Sequence, residues 1–179
     1  MDAYRLIEKY YAEQSALRDL LTLHSESVMR KAMDCLERRG IVCDREFVRE
    51  AALLHDIGII RTHAPSILCV GDRPYICHGI EGRAILDAEN LPRHALVCER
   101  HTGAGLSKED IISQNLPLPH RDMLPLSVEE RVICYADKFF SKSGDARREK
   151  PLDEVIRSME RHGAGTLERF MQLHSEFGV

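Results

Sequence analysis

Histidines and aspartates fall in this chain at positions that could assemble a metal centre: His24, the adjacent pair His55-Asp56, then His78, His101 and Asp137. The pair closes an apolar run, Leu53-Leu54-His55-Asp56-Ile57-Gly58, where two polar groups would be costly to bury without partners. A buried imidazole bonded to a neighbouring carboxylate is a common structural device, so the pair alone carries little. Taken together, the four histidines and two aspartates form a mixed nitrogen and oxygen donor set. That mixture suits iron, manganese, cobalt, nickel or zinc better than magnesium or calcium, which favour all-oxygen shells. Six donors exceed what one ion with an open position needs, so two ions are the economical reading.

The spacing of apolar residues predicts the elements that must carry these side chains. Leu17, Leu20, Leu21, Val28, Ala32, Cys35 and Leu36 trace one face of a long helix from Ser15 to near Gly40, and His24 shares that face. Phe47, Val48, Ala51 and Leu54 predict a helix over 46–54, N-capped by Asp44, with His55 and Asp56 in its last turn and Gly58 as its stop. His78 opens a further helix, in which Gly79 and Gly82 allow close backbone approach. Pro92 begins the helix that ends at His101. Ser107-Lys108-Glu109-Asp110 resembles a capping sequence, and Ser127-Val128-Glu129-Glu130 is a clearer capping box, opening the helix that delivers Asp137. A first helix over 2–13 and two last ones, 152–161 and 166–177, complete an all-α expectation. The stretch 60–77 reads as a loop, and no run alternates as a strand would.

The order His, His-Asp, His, His, Asp, with His55-Asp56-Ile57-Gly58 at its centre, resembles the HD-domain superfamily of metal-dependent phosphohydrolases, in its His-Asp-Ile-Gly branch. The resemblance runs from about Leu17 to Phe140. It implies a helical bundle in which His24, His55, Asp56 and Asp137 surround one divalent transition metal and Asp56 bridges to a second held by His78 and His101. In members with one metal, His78 and His101 would contact substrate instead. The resemblance further implies a metal-activated water attacking a phosphate ester or phosphoanhydride. Asp56 is then a catalytic residue as well as a ligand; by position, Lys138 directly after Asp137 and Arg61 three residues past Gly58 are the candidate phosphate binders, with solvated surface charge as the competing reading. The common spelling places a lysine directly after His-Asp-Ile-Gly. Here Ile59-Ile60 intervene before Arg61. Arg100-His101-Thr102-Gly103 followed by Tyr135-Ala136-Asp137-Lys138 is similar to bacterial hydrolases that split diadenosine tetraphosphate. The run Arg100 to Gly105 also matches archaeal and bacterial proteins with an Arg-His-x-Gly-Ala-Gly segment. Nucleotides, dinucleoside polyphosphates and other small phosphate esters are the implied partners. The same ligand set also serves diiron oxygenases of the superfamily, and a nucleotide-binding protein without turnover is a third reading.

Composition sets the outer bounds. A chain of 179 residues fits one domain, 1–179, with a core of about 17–140 and a helical extension over 141–179. A net charge of −4 argues against general nucleic-acid binding, which needs a basic face. Six cysteines without a Cys-x-x-Cys pair predict buried reduced thiols. The start of the chain lacks the apolar region of a signal peptide, and no run is long enough to span a membrane, so a cytoplasmic protein of open oligomeric state is expected. Lys142, Arg147, Arg148 and Lys150 form the densest basic stretch, read as a solvated loop, with closure over the site as the competing view.

Overall fold

The helix carrying His24 is the longest element, α2 (Ser15–Arg38), and the bundle forms around it in the computed structural model, which describes residues 1–178. The other helices are α1 (Ala3–Tyr11), α3 (Arg45–Leu54), α4 (His78–Ala88), α5 (Pro92–Arg100), α6 (Lys108–Ser113), α7 (Val128–Asp137), α8 (Leu152–Arg161) and α9 (Ala164–Phe177). The all-α fold predicted from the sequence is what the structure shows. Local chemistry explains four starts: Asp2, Asp44, Ser107 and Ser127 each accept an amide hydrogen bond from the first turn.

Two apolar clusters meet along α2. One gathers Val28, Ala32 and Leu36 of α2 with Phe47 and Val48 of α3, Val132 and Ile133 of α7, Val155 of α8 and Phe170 and Phe177 of α9. The other gathers Ile7 and Tyr11 of α1, Leu17 and Leu21 of α2, Leu54, Ile57 and Ile59, and Ile85 and Leu86 of α4 with Cys98 of α5. Each large side chain so buried stabilises the fold by roughly 1.5–3 kcal/mol. His24 lies between Leu21 of one cluster and Val28 of the other. Asp137 follows Ala136 in the first cluster and His55 follows Leu54 in the second, so the polar residues gather at the seam. The C-terminal helices belong to the first cluster and cover its open side.

Three local expectations need correction. His55 and Asp56 lie beyond the last helical residue of α3: His55 caps it, and Asp56 precedes a 3-10 helix, Ile57–Arg61. Gly58 sits inside that turn and does not stop a helix. Its reason is proximity, because a Cβ there would lie 2.1 Å from the His78 carbonyl oxygen and 2.2 Å from the Gly82 nitrogen. Tyr11 clamps the same turn, donating from its hydroxyl to the Ile57 carbonyl (2.8 Å) and accepting from the Ile60 amide (3.2 Å).

The stretch 60–77 contains a small sheet in the order β2-β1-β3, built from β1 (Thr62–Ala64), β2 (Cys69–Val70) and β3 (Arg73–Pro74), antiparallel on one side and parallel on the other. Strands of two or three residues are too short to show alternation in sequence. Finally, the complete capping box is Ser107 with Asp110. At Ser127 the serine caps Glu130, but the Glu130 carboxylate turns to the Leu126 amide and to Arg100.

Candidate metal centre

Four element ends converge on the middle of α2 at the seam. α2 supplies His24, the turn after α3 supplies His55 and Asp56, the start of α4 supplies His78, and the ends of α5 and α7 supply His101 and Asp137. All six residues are brought together as predicted. Asp56 is their centre and is 0% exposed. Its Oδ2 lies 3.2 Å from His24 Nε2 and 3.0 Å from His55 Nε2, while its Oδ1 lies 3.3 Å from His101 Nε2 and 3.5 Å from His78 Nε2. Asp137 Oδ1 completes the first side, 3.0 Å from His24 Nε2 and 3.4 Å from His55 Nε2. The carboxylate of Asp56 therefore shows one oxygen to each of two ligand groups, His24-His55-Asp137 and His78-His101.

The imidazoles are set for this task by hydrogen bonds behind them. Nδ1 of His55, His78 and His101 lies 2.7, 2.8 and 2.8 Å from the carbonyl oxygens of Ala52, Tyr75 and Cys98. A carbonyl only accepts, so each Nδ1 carries a proton, and in the neutral ring each Nε2 turns a lone pair inward. His78 Nε2 and His101 Nε2 stand 3.1 Å apart, two acceptors facing a common point. Both Asp56 oxygens, His55 Nε2 and His24 Nδ1 are buried without a well-directed hydrogen bond. Orphaned acceptors at a shared centre fit a divalent cation, whose coordination would satisfy them.

The electrostatics differ between the two sides. Burial alone would lower the His55 imidazole, but the Asp56 and Asp137 carboxylates outweigh it and push it up to about 9. At His78 burial prevails over Asp56 and brings the imidazole down to about 3. Burial would raise both carboxyls, yet Lys142 and His55 hold Asp56, and Lys138 and His24 hold Asp137, well below the ordinary carboxylate range.

The sequence assigns phosphate binding to Lys138 and Arg61. Lys138 lies at the centre: its ammonium is 2.7 Å from Asp137 Oδ2 and donates to the His101 carbonyl (3.0 Å), so it orients Asp137 and leaves Oδ1 for the ligand group. Arg61 is not brought to the site. The 3-10 helix delivers it to the surface, where it pairs with Glu81 at 3.2 Å beside Arg73. Lys142 takes the nearer place, 2.5 Å from Asp56 Oδ2 with 11% of its side chain exposed, so the basic stretch is not wholly solvated.

A cavity of about 450 Å3 opens beside the centre. His78, Asp137, Lys138 and Lys150 stand on its wall, and Tyr75, Ile76, Leu106, Leu116 and Met159 give it an apolar side. Tyr75 stacks on His78 with ring centroids 4.9 Å apart. Lys150 belongs to the basic stretch whose competing reading is closure over the site, whereas Tyr75 and Met159 carry no site signal in sequence, because the path of their segments is determined only by the fold.

The family model described as the HD domain matches residues 22–141, two-thirds of the chain and every residue of the centre. The chain belongs to the HD-domain family. HD domains bind divalent metals, and membership points to metal-dependent hydrolysis. Among relatives, this HD domain is 39% identical to a tRNA (cytidine(56)-2'-O)-methyltransferase of Picrophilus torridus over 69% of this chain and 32% of that protein. It is 35% identical to an uncharacterized protein of Methanocaldococcus jannaschii, covering 83% of this chain and 84% of the other. A second tRNA (cytidine(56)-2'-O)-methyltransferase, from Thermoplasma volcanium, is 31% identical over 94% of this chain and 44% of its own length. The chain thus spans less than half of either methyltransferase. No solved structure gives a significant match. No helix among the described residues is long and apolar enough to cross a membrane.

Proposed function

We propose that this HD domain is a two-metal phosphohydrolase acting on a small phosphate ester or nucleotide. The observation that carries the reading is Asp56, whose two oxygens face separate ligand groups beside a cavity. His24, His55 and Asp137 would hold one divalent ion and His78 and His101 the other, with Asp56 shared. Ions so held would supply a water of lowered pKa and would offset charge developing on phosphoryl oxygens.

The protein's own groups prepare the rest. Carbonyl-bound Nδ1 protons keep three imidazoles oriented, Lys138 fixes Asp137, and burial excludes bulk water from Asp56. Lys150 lines the cavity without an ion-pair partner among the described residues, and so offers a free ammonium to an anionic substrate. The apolar wall of Ile76, Leu106, Leu116 and Met159 suits the non-phosphate body of that substrate, such as a nucleoside. Two relatives bear the name of a tRNA methyltransferase, which supports nucleotides or RNA-derived phosphates as the class to test first.

The test is elemental analysis of the purified chain combined with phosphate release from nucleotides, dinucleoside polyphosphates and simple esters, with manganese, iron, cobalt, nickel or zinc. Near two metals per chain with turnover of one class is the expected result. Two irons per chain, oxygen consumption and no phosphate release would replace the hydrolase by a diiron oxygenase.

A further inference from the structure

Lys142 stands where a loaded metal centre could not keep it. Its ammonium contacts Asp56 Oδ2 at 2.5 Å, the same oxygen that faces His24 and His55. A divalent ion on that side would need this oxygen's lone pairs and would repel the ammonium at close range in a buried setting. Among the described residues Lys142 is the one lysine or arginine in contact with Asp56, whose oxygens otherwise lack a directed hydrogen bond. The charged groups around the ammonium are Asp56, Asp137 and Lys150, with the Tyr75 phenol on its cavity side.

The segment carrying this lysine is attached so that it can shift. Residues 141–145 lie between α7 and α8 without helix or strand, and the Ser141 side chain bonds only to Ser143, at 2.8 Å to its hydroxyl and 3.2 Å to its amide. The chain is then docked again: Ala146 is buried, Glu149 pairs with Lys31 at 2.5 Å, and the Lys150 amide donates to the Phe139 carbonyl (2.8 Å). Movement of Lys142 would therefore leave the bundle intact.

We propose that Lys142 is a placeholder cation, neutralising Asp56 in the metal-free protein and expelled by metal toward Tyr75 and the cavity, where it joins Lys138 and Lys150 as a receptor for anionic oxygens. This rests on the metal centre proposed above. It makes metal occupancy the condition for a complete phosphate receptor.

The experiment is calorimetric titration of the full metal-free chain with Mn2+, in wild type, Lys142→Met and Lys142→Arg, beside acetic-anhydride labelling of wild-type lysines read by mass spectrometry. Without the competing ammonium, Lys142→Met should bind the first Mn2+ at least tenfold more tightly, and Lys142→Arg should stay close to wild type. Acetylation of Lys142 should rise at least fivefold on Mn2+ loading, measured against Lys9, which is exposed on α1. Unchanged or weaker Mn2+ affinity in Lys142→Met overturns the exchange, as does an unchanged labelling rate. Wild-type protein that binds no Mn2+ overturns the metal centre itself, and the exchange with it. Should Lys142→Met fail to fold, the wild-type labelling decides alone.

Discussion

Two buried carboxylates, Asp56 and Glu99, sit in the same small bundle and are treated oppositely. Glu99 is 3% exposed and closed by guanidinium groups: Arg83 of α4 donates to Oε2, and Arg121 donates to Oε1 through both Nη2 and Nε, the latter at 3.1 Å. Those partners fix α4, α5 and the connection between α6 and α7, which carries Arg121, to one another. Asp56 is more deeply buried and faces four imidazole nitrogens and one lysine. The contrast teaches how a fold separates a structural charge from a working one. The structural carboxylate is saturated by its own chain, whereas the working one is left with lone pairs for a guest.

The largest effect that could break this contrast is at Asp56 itself. Asp56→Ala should reduce bound metal from near two per chain to below one and cut phosphate release at least a thousandfold, measured by elemental analysis and product assay. Full metal loading in that variant would end the shared-carboxylate account. Next comes the backbone that aims Asp56. Gly58→Ala should cost ~3 kcal/mol in urea denaturation, since its Cβ meets main-chain atoms of α4 that cannot swing aside. A loss under 1 kcal/mol would show that α4 can retreat from the turn.

At the structural carboxylate, Glu99→Gln should cost about 2 kcal/mol, less than a wholly buried pair because both arginines reach solvent. Metal content should stay at the wild-type level. Loss of metal there would erase the distinction between the two carboxylates.

The smallest effect concerns Asp110, a second saturated carboxylate, which accepts from the Ser107 amide and pairs with Arg169 of α9 at 2.6 Å. Burial would raise it, but these bonds outweigh burial and hold its carboxyl below the ordinary 3.8. A carboxyl depressed in the folded state contributes stability fully above its unfolded value and loses it as pH falls through its folded value. The stability difference between wild type and Asp110→Asn should therefore be constant above pH ~5 and shrink below 3.8. A difference that grows in acid would reverse the assignment.

Much of this was legible from residues alone. The helices follow apolar spacing and capping residues, and the six centre residues were marked by type and order. What escaped has physical causes. Gly58 looks like a helix stop because glycine serves both turns and close approaches, and only the position of α4 decides which. Arg61 looked like a phosphate binder because it follows the His-Asp pair, but a 3-10 helix advances the chain with a tighter turn and sends it outward. Lys142 sits among other basic residues with nothing local to set it apart. Its partner Asp56 lies 86 positions earlier, and that pairing is a property of the seam.

His24 and Asp137 touch at 3.0 Å although 113 residues separate them in the chain. The ligand group of His24, His55 and Asp137 is therefore incomplete until α7 has docked on α2. A divalent ion held by His24, His55 and Asp137 would stabilise the finished bundle by mass action, because only the docked α2 and α7 present that ligand group together.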